Sequence, residues 1–321
     1  MNLIIFTFSY TFVITFFVSK LFIPLIKSLK LGQNINDYAP KSHRKKVGVP
    51  AFGGVIFILS ITIVIFTLHE IIHGEGLVAF YALIVFGIVG LIDDISKKVR
   101  FKNEGLKRRQ KMTLLVIAAS FFAIYAYITP SIGSYIYIPY VNKSFNLKLL
   151  YIPFLIFYYT GTTNAVNLTD GIDGLCTTIT ILVILFFGSY SYITGHHSLA
   201  LFCAAMIGCL LAFLIFNIYP AKIIMGDTGS LALGGAIATV AMLLKVELLL
   251  ILVGIIYVIE TLSVIIQENS LKYFKKKVFK MAPIHHSFEL SGWHEIRIVF
   301  VFSIITIFAE ITAFLLLINI K

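Results

Sequence analysis

The sequence predicts an all-α, polytopic membrane protein with about ten transmembrane helices and both termini outside the cytoplasm. Three observations predict it. The 321 residues are 59% apolar and 13% charged, with a mean hydropathy of +0.96, whereas soluble domains carry roughly 25% charged residues. Apolar runs close to the ~17–25 residues that a bilayer crossing needs follow one another with short polar gaps. Lys and Arg, finally, are gathered in alternate gaps.

On hydropathy alone the helices fall at 3–24, 52–69, 77–92, 113–129, 149–163, 174–193, 199–217, 230–244, 248–267 and 298–319. The eighth and ninth form one apolar run, broken only by Lys245-Val246-Glu247 and too long for a single crossing. The first stretch has no basic leader or small-residue cleavage site, so it is expected to stay as a span. Residues 1–321 read as a single integral membrane domain.

Placing the N-terminus outside makes 25–51, 93–112, 164–173, 218–229 and 268–297 the inner segments. Together with Lys20 they hold 22 of the 26 Lys and Arg, leaving Lys143, Lys148, Lys245 and Lys321 outside. This is the positive-inside pattern. The net charge of +11 therefore reports topology and anion binding at a membrane surface, and nucleic acid is not an expected partner. The three cysteines lie in apolar runs without metal spacing and are expected to be inert.

All six Asp residues fall on the predicted cytoplasmic side, although they took no part in fixing it. Asp93 and Asp94 follow Gly90-Leu91-Ile92 at the inner end of the third helix. Adjacent carboxylates repel unless a cation or proton lies between them, so the pair reads as Mg²⁺ ligands, a base, or one of each. The segment from Asn164 to Leu175 holds Asn164, Asn167, Asp170 and Asp173 with Gly171 and Gly174 before an apolar helix. Glycines and a helix N-terminus suit an approaching anion; one Asp alone would serve as a cap. Asp227 repeats the theme in Gly226-Asp227-Thr228-Gly229. His285 and His286 lack a nearby third zinc ligand and suit phosphate or leaving-group contacts. In the basic segment before Gly53-Gly54, Lys46 stands out as a phosphate contact. Acids for Mg²⁺, glycine-framed helix ends and basic residues together describe a diphosphate site beside a bilayer.

The blocks Gly90–Asp94, Asn164–Leu175, Gly226–Gly235 and Pro283–Trp293 resemble the signatures of the polyprenyl-phosphate N-acetylhexosamine-1-phosphate transferase superfamily. Gly32-Gln33 with Pro40–His43, Met281–His286 with Phe288–Leu290, and Leu233–Gly235 resemble its phospho-N-acetylmuramoyl-pentapeptide transferase branch. The likeness runs from about residue 20 to 300. It implies a ten-helix, Mg²⁺-dependent, homodimeric enzyme of the bacterial inner membrane, active on the cytoplasmic face. Undecaprenyl phosphate would attack the β-phosphorus of UDP-N-acetylmuramoyl-pentapeptide, giving UMP and lipid I for peptidoglycan synthesis.

By position, the resemblance implies that Asp227 binds Mg²⁺, and that Asp93 and Asp94 bind metal or deprotonate the lipid phosphate. Asn167, Asp170, Gly171 and Asp173 would line the nucleotide and metal region, with Asn167 among the metal contacts. Lys46, Asn164 and Gln267 would contact substrate, and His285 and His286 would hold phosphates or sugar. Ile224 stands where the superfamily has an aromatic residue that stacks on uracil, and the chain reads Ala51-Phe52 and Ser287 where the branch has Thr-Met and a third His. Two alternatives stand beside this reading. One is a sister transferase using UDP-N-acetylglucosamine; the other is a non-catalytic membrane paralogue or transporter.

Overall fold

The computed structural model describes residues 1–29, 48–99, 105–141 and 143–318. Each of the ten apolar segments is helical. In chain order they are α1 (Asn2–Ser28), α2 (Gly53–Thr67), α3 (Glu75–Val99) and α4 (Arg108–Ile128), then α5 (Tyr151–Thr169), α6 (Leu175–Ile193), α7 (His197–Asn217) and α8 (Gly226–Leu243). The bent pair α9 (Leu250–Val253) and α10 (Ile255–Asn269), the short α11 (Ile284–Glu289) and α12 (Glu295–Ile318) follow. Among the described residues, seven helices are long and apolar enough to cross a membrane, or eight if the bent pair is one span. The chain is a multi-pass, all-α membrane protein.

Several boundaries differ from the hydropathy reading, each for a local reason. The third helix was expected to end at 92, but α3 runs on to Val99, which places Asp93 and Asp94 inside it. The fifth was expected to end at 163, but α5 continues to Thr169 and absorbs Asn164 and Asn167. The eighth starts at Gly226 instead of 230, because a carboxylate from α3 satisfies its first amides. The ninth turns by 82° at Gly254. The segment before the tenth, expected to be a loop, contains α11. A two-stranded hairpin, β1 (Tyr135–Ile138) against β2 (Lys143–Asn146), lies in the gap between α4 and α5.

Small residues let the bundle close. Thr7, Thr11, Thr15 and Ser19 repeat every fourth residue on one buried face of α1. Thr7, Thr11 and Ser19 return their hydroxyls to carbonyls of the preceding turn. Opposite them, Gly208 of α7 sits directly on the Phe8 carbonyl. Small side chains of this kind are what allow helix backbones to approach in lipid, where there is no hydrophobic drive between helices.

The approach that matters most for the site is α3 on α8. A Cβ at Gly90 would overlap the Asp227 carbonyl, and one at Gly54 of α2 would overlap the backbone of Gly229. These glycines bring backbone against backbone. Gly90→Ala is expected to push the first turn of α8 away, at about 1–3 kcal/mol for overpacking. The check is the thermal midpoint of the detergent-purified variant, which should fall; an unchanged midpoint would show that the contact is slack.

The opposite end of the bundle carries its own polar tie. The Tyr151 hydroxyl donates to Glu247 Oε1 at 2.6 Å, and Lys245 donates to that hydroxyl at 2.8 Å and to the Gly133 carbonyl at 3.0 Å. Burial pushes the Lys245 ammonium down in pKa, and Glu247 opposes the shift. Acidic motifs and this tie therefore occupy different ends of the molecule.

Candidate active site

The site grows from the N-terminus of α8. The first amides of a helix have no partner within it, and Gly226 opens α8 with φ 76°, a conformation that suits glycine. Asp94 reaches across from α3 to supply what α8 lacks. Its Oδ1 accepts the Asp227 N–H at 3.2 Å, and its Oδ2 accepts the Thr228 N–H at 2.8 Å and the Thr228 hydroxyl at 2.7 Å. A carboxylate at this position also faces the positive end of the helix dipole. Asp94 thus caps one helix from another.

Asp93, one residue earlier, points to a different neighbourhood. Its Oδ1 accepts the Leu106 N–H at 2.7 Å, while Oδ2 lies 3.1 Å from Lys97 Nζ and 3.7 Å from Lys111 Nζ. Both ammonium groups converge on Asp227 Oδ2, Lys111 at 2.6 Å and Lys97 at 3.0 Å, and Lys97 also lies 3.4 Å from Asp94 Oδ1. Asn167 completes the cluster. Its Nδ2 donates to Asp227 Oδ1 at 3.1 Å and to Ser230 Oγ at 2.8 Å, and its Oδ1 accepts from Lys111 at 3.3 Å. Three carboxylates, an amide and two ammonium groups from α3, α4, α5 and α8 share one half-enclosed space. Asp93 and Asp94 are 3% and 7% exposed, so water does little to separate their charges.

Lys97 and Lys111 are the residues that sequence reasoning missed. A signal existed for the first, because Asp93–Lys97 and Asp94–Lys97 are i,i+4 and i,i+3 pairs once α3 is allowed to continue. Lys111 had none, since it meets Asp227 only through the packing of α4 on the bundle.

The remaining candidates divide into two groups. Gly171 lies against the His285 ring, where any Cβ would overlap Nε2. Asp170 caps the end of α5 with its N–H on the Asn167 carbonyl, so the Asn167–Gly171 turn is continuous with the charge cluster. His285 is fully buried, and its ring meets that of His286 at 4.1 Å. His286 Nδ1 sits 2.7 Å from Glu289.

The other group is engaged by the fold. Asp173 accepts the Ala221 N–H at 2.9 Å through Oδ2 and gives its own N–H to Glu295 at 2.8 Å. Asn164 turns its amide back to the Thr160 carbonyl at 2.7 Å. Gln267 has both ends of its amide on the Val278–Phe279 backbone, which pins the chain beyond α10. Ile224 is half-buried, and its backbone pairs with Pro50 and Gly53 at the foot of α2. Lys46, with Gly32-Gln33 and Pro40–His43, lies outside the described residues.

Hard oxygen donors beside ammonium groups suit a hydrated divalent cation and phosphate oxygens. Mg²⁺ is usually held by one or two carboxylates together with substrate phosphates, not by an all-protein cage. Among the described residues, no group of three or more His, Cys, Asp or Glu is set up as a cage. Asp227, Asp93 and the Asn167 carbonyl oxygen fit such a role. Asp94 fits it less well, since its oxygens are held by the backbone amides and the Thr228 hydroxyl of the first turn of α8, whereas Asp227 and Asp93 Oδ2 meet side chains that can turn aside.

The chain is similar to known proteins over nearly its whole length. Residues 76–245 match the model described as Glycosyl transferase family 4. The chain is 52% identical to a phospho-N-acetylmuramoyl-pentapeptide-transferase of Clostridium novyi (strain NT), over 99% of this chain and 98% of that one. It is 54% identical to the protein of the same name from Clostridium perfringens (strain 13 / Type A), over 92% and 93%. It is 51% identical to that of Clostridium kluyveri (strain NBRC 12016), over 95% and 98%.

Proposed function

The chain belongs to the phospho-N-acetylmuramoyl-pentapeptide-transferase family, and on that premise we propose that it makes lipid I in peptidoglycan synthesis. It would transfer phospho-N-acetylmuramoyl-pentapeptide from UDP-N-acetylmuramoyl-pentapeptide to undecaprenyl phosphate. An oxygen of the lipid phosphate forms a bond to the β-phosphorus, the bond from that phosphorus to the bridging oxygen breaks, and UMP leaves with the electron pair.

The observation that carries this reading is the convergence of Asp93, Asp227, Asn167, Lys97 and Lys111 at one end of the bundle. Phosphoryl transfer needs positioning and charge neutralisation more than covalent help from the protein. Lys97 and Lys111, already held among carboxylates, would turn to the diphosphate oxygens as substrate enters. Asp94 keeps the first turn of α8, and hence Asp227, in register. Asp93 Oδ2 stands where it can accept a proton or share a cation. Mg²⁺, when bound, would be held by Asp227 with Asp93 and Asn167 and would neutralise charge on the diphosphate.

The lipid chain would lie alongside. An apolar cavity of about 270 Å³ runs between α5 and the bent α9–α10 pair, lined by Phe157, Gly161, Ile251 and Leu262. At one end it reaches Ala165, two residues from Asn167. The same reading includes the bacterial inner membrane as location, a cytoplasmic active face and assembly as a homodimer.

The test is donor choice. Protein purified in detergent, with undecaprenyl phosphate and Mg²⁺, is expected to release UMP from UDP-N-acetylmuramoyl-pentapeptide and only background from UDP-N-acetylglucosamine. The reverse preference would assign the chain to a sister transferase, and release from neither would remove the enzymatic reading.

A further inference from the structure

We infer that Glu260 is a positioning residue for His285, holding the imidazole with its Nε2 edge turned to the Asp170–Gly171 turn. The inference rests on the transferase reading above and adds a residue to its site. Glu260 lies on α10, beyond the bend at Gly254, and His285 lies on α11; neither has any exposed surface. His285 Nδ1 is 3.0 Å from Glu260 Oε1. The approach is oblique, and neither the carboxylate oxygens nor the ring nitrogens make a hydrogen bond to any described residue. A carboxylate taken wholly out of water is costly unless an opposite charge or a donor compensates it. The His285 ring, with Nδ1 toward the carboxylate, is the donor at hand.

The ring is confined on three sides. Glu260 faces Nδ1, the bare α-carbon of Gly171 lies against Nε2, and the His286 ring packs edge-on at 4.1 Å. His286 is itself tied to Glu289 at 2.7 Å. With Nδ1 turned to a carboxylate, the Nδ1 proton stays there and Nε2 becomes the edge that accepts, or once protonated donates, a hydrogen bond. Gly171 is four residues past Asn167, which belongs to the charge cluster. His285 Nε2 is thereby offered to the turn beside the diphosphate centre, and glycine at 171 leaves room for it.

A merely structural role, fastening α11 to α10, makes a different prediction from a positioning role, and a double-mutant cycle separates them. Glu260→Gln, nearly isosteric, is expected to lower kcat by about 10–100-fold, the usual range for loss of a group that orients a functional imidazole. UMP affinity and thermal midpoint should stay close to parental values. In a His285→Ala background the same change should cost nothing further. Glu260→Asp, which keeps the charge but withdraws it, should fall between, and it serves the same cycle if Glu260→Gln fails to fold. Equal losses in both backgrounds, or parental kcat in Glu260→Gln, would overturn the role of Glu260 alone. A parent protein that releases no UMP would overturn the transferase reading itself.

Discussion

Asp227→Asn is expected to reduce turnover at saturating substrates by at least about 10²-fold, the scale associated with losing preorganised charge at a reacting centre. Asp227 Oδ2 is where both ammonium groups meet, and an amide there removes the charge that gathers them. The fold should tolerate the change, because the Asp94 cap engages the backbone N–H of residue 227 and not its side chain. Asp94→Asn makes the instructive contrast. It should also lose activity, but with a lower thermal midpoint, since helix caps are worth about 0.5–2 kcal/mol. Measuring UMP release and thermal midpoint on both variants checks the division of labour. An Asp94→Asn protein as stable as its parent would show that α8 does not depend on the cap.

Lys111→Met is the second large expected effect. Lys111 touches Asp227, Asp93 and Asn167 at once. Removing it leaves crowded carboxylates with less opposite charge, and breaking a buried pair costs about 3–5 kcal/mol where no water compensates. Lys111 is 17% exposed, so the lower part of that range applies to stability. Turnover should fall by about 10²-fold or more. Near-parental turnover of a well-folded Lys111→Met protein would show that the lysine only balances charge.

How far the sequence carried these conclusions depended on the kind of contact involved. The ten helical segments were legible because lipid demands long apolar runs. Hydropathy is blind to direction, so it could not show the turn at Gly254. Asp93, Asp94, Asn167 and Asp227 were legible as a group, since carboxylates and amides at the ends of apolar runs are costly unless used. Their separate jobs were not, because the capping role of Asp94 exists only where α3 lies against the start of α8. Gln267 was read as a substrate contact, and its amide holds Val278 and Phe279. Glu260 and His285 lie 25 positions apart in the sequence and are brought together only by the fold of α11 on α10.

The most direct test follows the phosphorus. UDP-N-acetylmuramoyl-pentapeptide labelled at the β-phosphorus is incubated with undecaprenyl phosphate, and label entering the lipid phase is counted against UMP formed. The account predicts equal amounts of both, abolished by chelation, restored by Mg²⁺ and absent in Asp227→Asn. Label reaching the lipid at the parental rate in Asp227→Asn, or in the presence of chelator, would contradict the assignment of the charge cluster as the phosphoryl-transfer centre.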